Sequence, residues 1–118
     1  MSSTVTMYHN PRCSKSRQTL ALLAANGVEP TVVEYLKTPP SKAELVVMLD
    51  LLGLEPRQLM RTKEAEYTEQ GLADASLSRD QLIDAMLKTP KLIERPIVIA
   101  NGRAAIGRPP ENVLAVLK

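Results

Sequence analysis

The sequence contains no phenylalanine and no tryptophan, and only three tyrosines. That scarcity excludes an aromatic platform of the kind on which single-stranded nucleic acids stack. Cysteine occurs once, which excludes an internal disulfide and any multi-cysteine zinc or iron–sulfur centre. The single histidine leaves too few soft ligands for a zinc site, so no metal is expected. Charge of one sign is also lacking. Against 13 Asp and Glu stand 15 Lys and Arg, and the net +2 is too weak a field to draw the chain to nucleic acid or anionic lipid. The longest uncharged apolar run, Leu20 to Ala25, is far shorter than a membrane span. Residues 1–10 (MSSTVTMYHN) have neither a basic start nor an apolar stretch, so no signal peptide is expected. The 118 residues, 44% of them hydrophobic, supply one ordinary core and too little chain for two domains. The expectation is a cytoplasmic, soluble, single-domain protein that binds neither nucleic acid nor membrane.

What is present is a regular alternation of elements. Thr4–Tyr8 reads as a short β-branched strand stopped by the Asn10-Pro11 turn signal. A helix is expected from about Ser14 to Asn26, with Leu20, Leu23 and Ala24 at helical spacing and Gly27 at its end. Thr31–Tyr35 is a second strand, and a strand, helix, strand order with short connections makes the two strands parallel. After Pro39-Pro40 the chain turns helical. Ser41 and Glu44 form one capping box, ahead of Leu45, Leu49 and Leu52. Ser78 and Gln81 form another, ahead of Leu82, Ile83, Met86 and Leu87. Between them a short helix begun by Pro56 leads into a polar connection. Ile97–Ala100 and Arg103–Ile106 flank Asn101-Gly102, a strong hairpin signal. A last helix starts at Pro109-Pro110-Glu111, with Val113, Leu114 and Leu117 facing inward. The whole is an α/β chain in a thioredoxin-like arrangement: βαβ, a helical insertion at about 41–90, then ββα around a mixed four-stranded sheet.

Cys13 is the candidate catalytic residue because of where it falls. It follows a strand and a turn, at the first turn of the first helix, where unpaired N–H groups and the helix dipole favour an anion. Arg12, Lys15 and Arg17 add positive charge close by. An ordinary thiol is only a few per cent thiolate at neutral pH. A hundredfold gain takes about 2.7 kcal/mol. A helix N-terminus supplies ~0.3–1 kcal/mol, and ~2 at best, so neighbouring cations must contribute. A lone cysteine is ordinarily a small buried hydrophobe. The polar stretch from His9 to Arg17 argues against burial here and for a reactive thiol.

Spacing limits the chemistry. The position of a resolving cysteine in C-x-x-C is Ser16, and only three residues separate Cys13 from Arg17, which excludes the C-x5-R loop of cysteine phosphatases. A one-thiol mechanism remains, in which any disulfide is made with an outside thiol such as glutathione or a redox partner. Arg95 and Arg108 each precede a proline, which holds them extended at the outer ends of the two hairpin strands. Guanidinium groups near a cysteine would make a fork for a tetrahedral oxyanion, although each taken singly reads as a solvated surface residue. His9 either helps hold the thiolate or is a structural histidine at a strand end. The serines and asparagine around Cys13 read first as turn and cap residues.

Five separated segments, in order, carry a resemblance. They are Tyr8-His-Asn-Pro-Arg-Cys-Ser-Lys-Ser-Arg17, Glu34-Tyr-Leu-Lys-Thr-Pro-Pro40, Leu59-Met-Arg61, Leu92-Ile-Glu-Arg-Pro-Ile97 and Ile106-Gly-Arg-Pro-Pro-Glu111. Over nearly its whole length the chain resembles the glutathione- and glutaredoxin-dependent arsenate reductases, the ArsC family, and is closest to a short arsenate reductase-like branch. The resemblance implies a single thioredoxin-like domain over residues 1–118. It implies that Cys13 attacks arsenate or a similar oxyanion held by Arg61, Arg95 and Arg108, and that Arg95–Pro96 is a cis peptide beside the cysteine. It also implies that His9, Ser16 and Arg17 assist the thiolate. It implies further that no cofactor is bound, that glutathione is the co-substrate and that glutaredoxin is the partner. One departure stands out. Members read C-G-T-S-R where this chain has Cys13-Ser-Lys-Ser-Arg17, so Lys15 puts a bulky cation where a small polar residue would stand. Two other functions fit the same fold: a single-thiol glutaredoxin-like protein acting on glutathione mixed disulfides, and an Spx-like regulator that binds RNA polymerase.

Overall fold

The computed structural model describes residues 5–94 and 96–117. The elements run β1 (Thr6–His9), α1 (Ser14–Ala25), β2 (Thr31–Glu34), α2 (Lys42–Leu52), α3 (Pro56–Leu59), α4 (Ala65–Glu69) and α5 (Arg79–Lys88). A 3-10 turn (Pro90–Leu92), β3 (Ile97–Ala100), β4 (Arg103–Ile106) and a C-terminal 3-10 helix (Pro110–Leu117) complete the chain. The chain divides into two compact units, residues 1–38 with 95–118, and residues 39–94.

The first unit holds one four-stranded sheet in the order β2-β1-β3-β4. β1 pairs in parallel with β2 and antiparallel with β3, and β3 pairs antiparallel with β4, which is the mixed sheet expected. Central strands are covered and edges are not: β3 is nearly all buried, whereas Thr31 and Val32 on edge strand β2 are exposed. At the hairpin, Asn101 and Gly102 both take positive φ, 55° and 70°, the mirror-image turn whose twist matches paired strands. The Asn101 amide also donates to the Val116 carbonyl at 2.9 Å, tying the hairpin to the C-terminal 3-10 helix. Met7, Leu23, Val98, Ala100, Val113 and Val116 form the core of this unit.

Three expectations need correction here. β1 begins at Thr6 and includes His9, two residues later than read at its start; Thr4 lies outside the described residues. The buried stripe of α1 is Ser16, Thr19 and Leu23, with Ala24 exposed, so polar side chains occupy positions that apolar periodicity passes over. The C-terminal segment is a 3-10 helix, and its buried residues are Pro110, Val113 and Val116, with Leu114 and Leu117 only partly covered. Three residues per turn puts every third side chain on one line, so Val116 replaces the leucines an α-helical period would bury.

In the second unit both capping boxes form as expected. Ser41 Oγ accepts from Glu44 N–H while Glu44 reaches back to Ser41 N–H, and Ser78 and Gln81 do the same. α2 buries Leu45, Met48 and Leu49, α5 buries Leu82, Ile83 and Met86, and the two helices pack together. The polar connection after α3 contains a helical turn, α4, that the polar sequence did not signal. Met60 and Ile93 form an antiparallel bridge, with Arg61 N–H donating to Leu92 at 2.7 Å and Glu94 N–H to Leu59 at 2.8 Å.

Candidate active site

The loop after β1 is built by Asn10. Its carbonyl accepts from Cys13 N–H at 3.0 Å, closing a turn over Pro11 and Arg12. Its side-chain Oδ1 accepts from Arg12 N–H at 3.0 Å, and its own N–H donates to Ser16 Oγ at 3.0 Å. Asn10 is buried, so these bonds also satisfy groups that water cannot reach. Sequence reading treated Asn10 as a turn residue only; its grip on α1 through Ser16 comes from the fold.

The turn sets Cys13 at the N-cap of α1, with extended backbone (φ −91°, ψ 123°) and its carbonyl accepting from Arg17 N–H at 3.0 Å. That is one position before the first helical turn, where cap side chains act as acceptors for the exposed N–H groups. A thiolate is a better acceptor there than a thiol. Arg108 Nη2 donates to Cys13 Sγ at 3.5 Å, from a residue that follows β4. Cys13 itself is only 9% exposed, contrary to the exposure expected from its polar neighbours. Of the polar side chains near it, His9, Asn10 and Ser16 are buried with it, while Arg12, Ser14, Lys15 and Arg17 stay exposed.

His9, Ser16 and Arg17 play clear local parts. His9 Nδ1 and Ser16 Oγ share a hydrogen bond at 2.6 Å, both side chains being buried. Burial pushes the His9 imidazole below its ordinary value; the Glu34 carboxylate opposes this and the Arg17 guanidinium adds to it. Burial thus works against the protonated imidazole that would lend positive charge to a thiolate. Arg17 donates through Nη1 to the Pro11 carbonyl at 2.9 Å and so braces the loop from outside.

Of the other expected site residues, Arg108 is brought to the sulfur and Arg95 lies outside the described residues, as therefore does the Arg95–Pro96 peptide. Pro96 is buried, and its carbonyl accepts from Gly107 N–H at 2.9 Å; the cis X-Pro peptide among the described residues is Arg108–Pro109. Arg61, in the second unit, pairs with Glu64 at 3.2 Å and with Glu94 at 3.8 Å, and its Nη1 is buried without a hydrogen-bond partner. Lys91 bridges Glu64 and Glu66, at 3.4 and 3.3 Å.

Gly107 is a positioning residue that sequence reading missed. A Cβ there would stand 2.5 Å from Thr19 Oγ1 and 2.8 Å from Pro96 Cγ, so only glycine lets the chain before Arg108 lie against α1. Its signal was present in the Ile106-Gly-Arg-Pro-Pro-Glu111 segment, without a local reason attached. Among the described residues, no group of three or more His, Cys, Asp or Glu side chains could hold a metal ion. No described helix is long and apolar enough to cross a membrane.

A parallel β1–β2 pair, an antiparallel β3–β4 return and a thiol on the N-cap of the first helix define a thioredoxin-like, single-thiol protein. The comparisons narrow this further. A family model described as the ArsC family matches residues 8–116. The YfgD protein of Escherichia coli strain K12, an uncharacterized protein, is 59% identical over 118 residues, with 99% of each chain covered. An arsenate reductase of Rhizobium meliloti strain 1021 is 53% identical, over 97% of this chain and 81% of the relative. The solved structure of an arsenate reductase from Vibrio cholerae superposes with a TM-score of 0.95 at 54% identity, covering 98% of this chain and 99% of that one. The chain belongs to the ArsC family.

Proposed function

We propose that this protein is an oxidoreductase that reduces arsenate to arsenite, with Cys13 as its nucleophile and glutathione as the source of the second thiol. The observation that carries the reading is the approach of the Arg108 guanidinium to Cys13 Sγ, 3.5 Å away. A guanidinium there serves two ends: it favours the thiolate and offers a fork to a tetrahedral oxyanion beside it. The names of the Rhizobium and Vibrio relatives, both arsenate reductases, support the same substrate.

In this reading the Cys13 thiolate displaces an oxygen of arsenate, which leaves as water after protonation, and a cysteine–arsenate adduct forms. Glutathione then attacks. Two thiols become one disulfide, and their two electrons take arsenic from the pentavalent to the trivalent state. Glutaredoxin clears the resulting mixed disulfide. Arg108 and Arg95 hold the oxyanion, and a part for Arg61 in substrate binding rests on the family resemblance alone. Ser16, His9 and Arg17 act on Cys13 by fixing the loop and the first turn of α1. The chain works as one ArsC-type domain, since the family model takes in residues from both compact units. A cytoplasmic location belongs to the same reading, because the route needs a reduced glutathione pool.

A coupled assay with arsenate, glutathione, glutaredoxin and NADPH tests it. Wild type should consume NADPH in an arsenate-dependent way, and Cys13→Ser should not. Activity of Cys13→Ser at the wild-type level would refute the role of the thiol. A wild type inert toward arsenate but active on glutathione mixed disulfides would replace this reading with the glutaredoxin-like one.

A further inference from the structure

A groove that the oxyanion chemistry does not use is lined by residues close in sequence to Cys13 and Arg108. Lys15, Gln18 and Leu22 form one wall, three, four and seven residues apart along one face of α1. Pro109, Pro110 and Glu111, at the start of the C-terminal 3-10 helix, form the other. The groove holds about 470 Å³, within the range of sites that take a small molecule. Both walls continue the chain from residues of the active site. Lys15 stands two residues beyond Cys13, and Pro109 directly follows Arg108, whose guanidinium touches the sulfur. Neither Lys15 nor Glu111 makes an ion pair with another described residue. The groove therefore presents one cation and one anion without an ion-pair partner among the described residues, and one amide, with two prolines stiffening one wall.

We infer that this groove seats the second thiol as a zwitterionic peptide thiol of the glutathione class, with Lys15 taking a carboxylate and Glu111 the ammonium group. This rests on the reading above that an outside thiol completes the cycle, and it says where on the chain that thiol lies. Carboxylate, ammonium and amide are the recognition elements of such a peptide. A simple alkyl thiol has none of them, and an inorganic oxyanion has no use for Glu111. Lys15, the departure from the C-G-T-S-R pattern, thereby gains a function as a specificity residue.

The experiment measures formation of mixed disulfide on Cys13 in the absence of arsenate. The thiolate attacks one sulfur of an added disulfide, one S–S bond forms as another breaks, and one thiolate leaves. Glutathione disulfide and 3,3′-dithiodipropionate carry the same net charge at neutral pH, but only the first has ammonium groups. If the groove seats the peptide, Glu111→Gln slows glutathione disulfide about two- to fivefold, the worth of one exposed ion pair. The same change leaves dithiodipropionate unchanged or faster, because a repelling carboxylate has gone. Lys15→Gln, on the other wall, lowers the glutathione disulfide rate by a similar factor relative to neutral hydroxyethyl disulfide. Alkylation by iodoacetamide checks that Cys13 is intact in each variant. Glutathione disulfide reacting as fast or faster with Glu111→Gln would overturn the assignment. Because arsenate is absent, that result stays distinct from a failure of arsenate reduction in the coupled assay.

Discussion

Replacing Arg108 by alanine removes the cation whose Nη2 lies 3.5 Å from Cys13 Sγ. A pair of unit charges at that distance interacts by about 1.2 kcal/mol in a water-like dielectric and by about 4.7 kcal/mol at an effective dielectric of ~20. Arg108 is exposed, so solvent screens the pair and the lower figure governs. About 1.2 kcal/mol corresponds to a roughly sevenfold smaller thiolate fraction at a pH below the titration of the thiol. The assay is alkylation of Cys13 by iodoacetamide, a neutral reagent, followed from about pH 6 upward, since only the thiolate reacts. Arg108→Ala should react roughly sevenfold more slowly at the acid end and converge with wild type at the alkaline end. Arg108→Lys should keep the alkylation rate within about twofold, since the charge remains. Its KM for arsenate should still rise, because an ammonium group cannot supply the planar fork. Equal alkylation rates for wild type and Arg108→Ala at the acid end would refute the electrostatic reasoning.

Gly107→Ala should force Thr19, Pro96 or the backbone to move, since the new Cβ would meet Thr19 Oγ1 at 2.5 Å. Overpacking of this kind costs about 1–3 kcal/mol, and a fall in Tm of roughly 5–15 °C in thermal unfolding would report it; an unchanged Tm would mean the contact relaxes freely. For His9, burial lowers the folded-state value, so the folded protein resists protonation that the unfolded chain accepts. The stability this contributes is fully present above about pH 6.5 and is lost as the pH falls through the lowered folded value. Thermal unfolding from about pH 7.5 down to about pH 5 should show a steeper decline for wild type than for His9→Gln, and parallel curves would remove His9 as the cause.

Short-range chemistry accounts for what was legible in the sequence. The capping boxes at Ser41 and Ser78 close within three residues, and Asn101-Gly102 dictates its own turn, so each forms as its local pattern requires. The parallel βαβ start and the placement of Cys13 next to the N-terminus of α1 follow from the same local order. Where longer-range packing decides, the pattern was silent or misleading. Ser16 and Thr19 look like surface residues by type. They are buried because Ser16 meets His9 and Asn10, and because Gly107 lets the chain lie against Thr19. The C-terminal segment tightened into a 3-10 helix, where a period of three, not 3.6, selects Val113 and Val116 for the core. Burial of Cys13 and the lowered His9 value likewise depend on how the loop folds onto itself.

Residue types and spacing alone determined that this chain has one thiol and no partner cysteine, so that any disulfide it forms must be made with an outside thiol. Which cation stands beside that thiol was a tertiary decision. Cys13 and Arg108 are 95 positions apart, and only the pairing of β1 with β3, and of β3 with β4, brings the end of the hairpin to the start of α1. Local sequence can place a charge on an element; the register of the sheet decides what that charge touches.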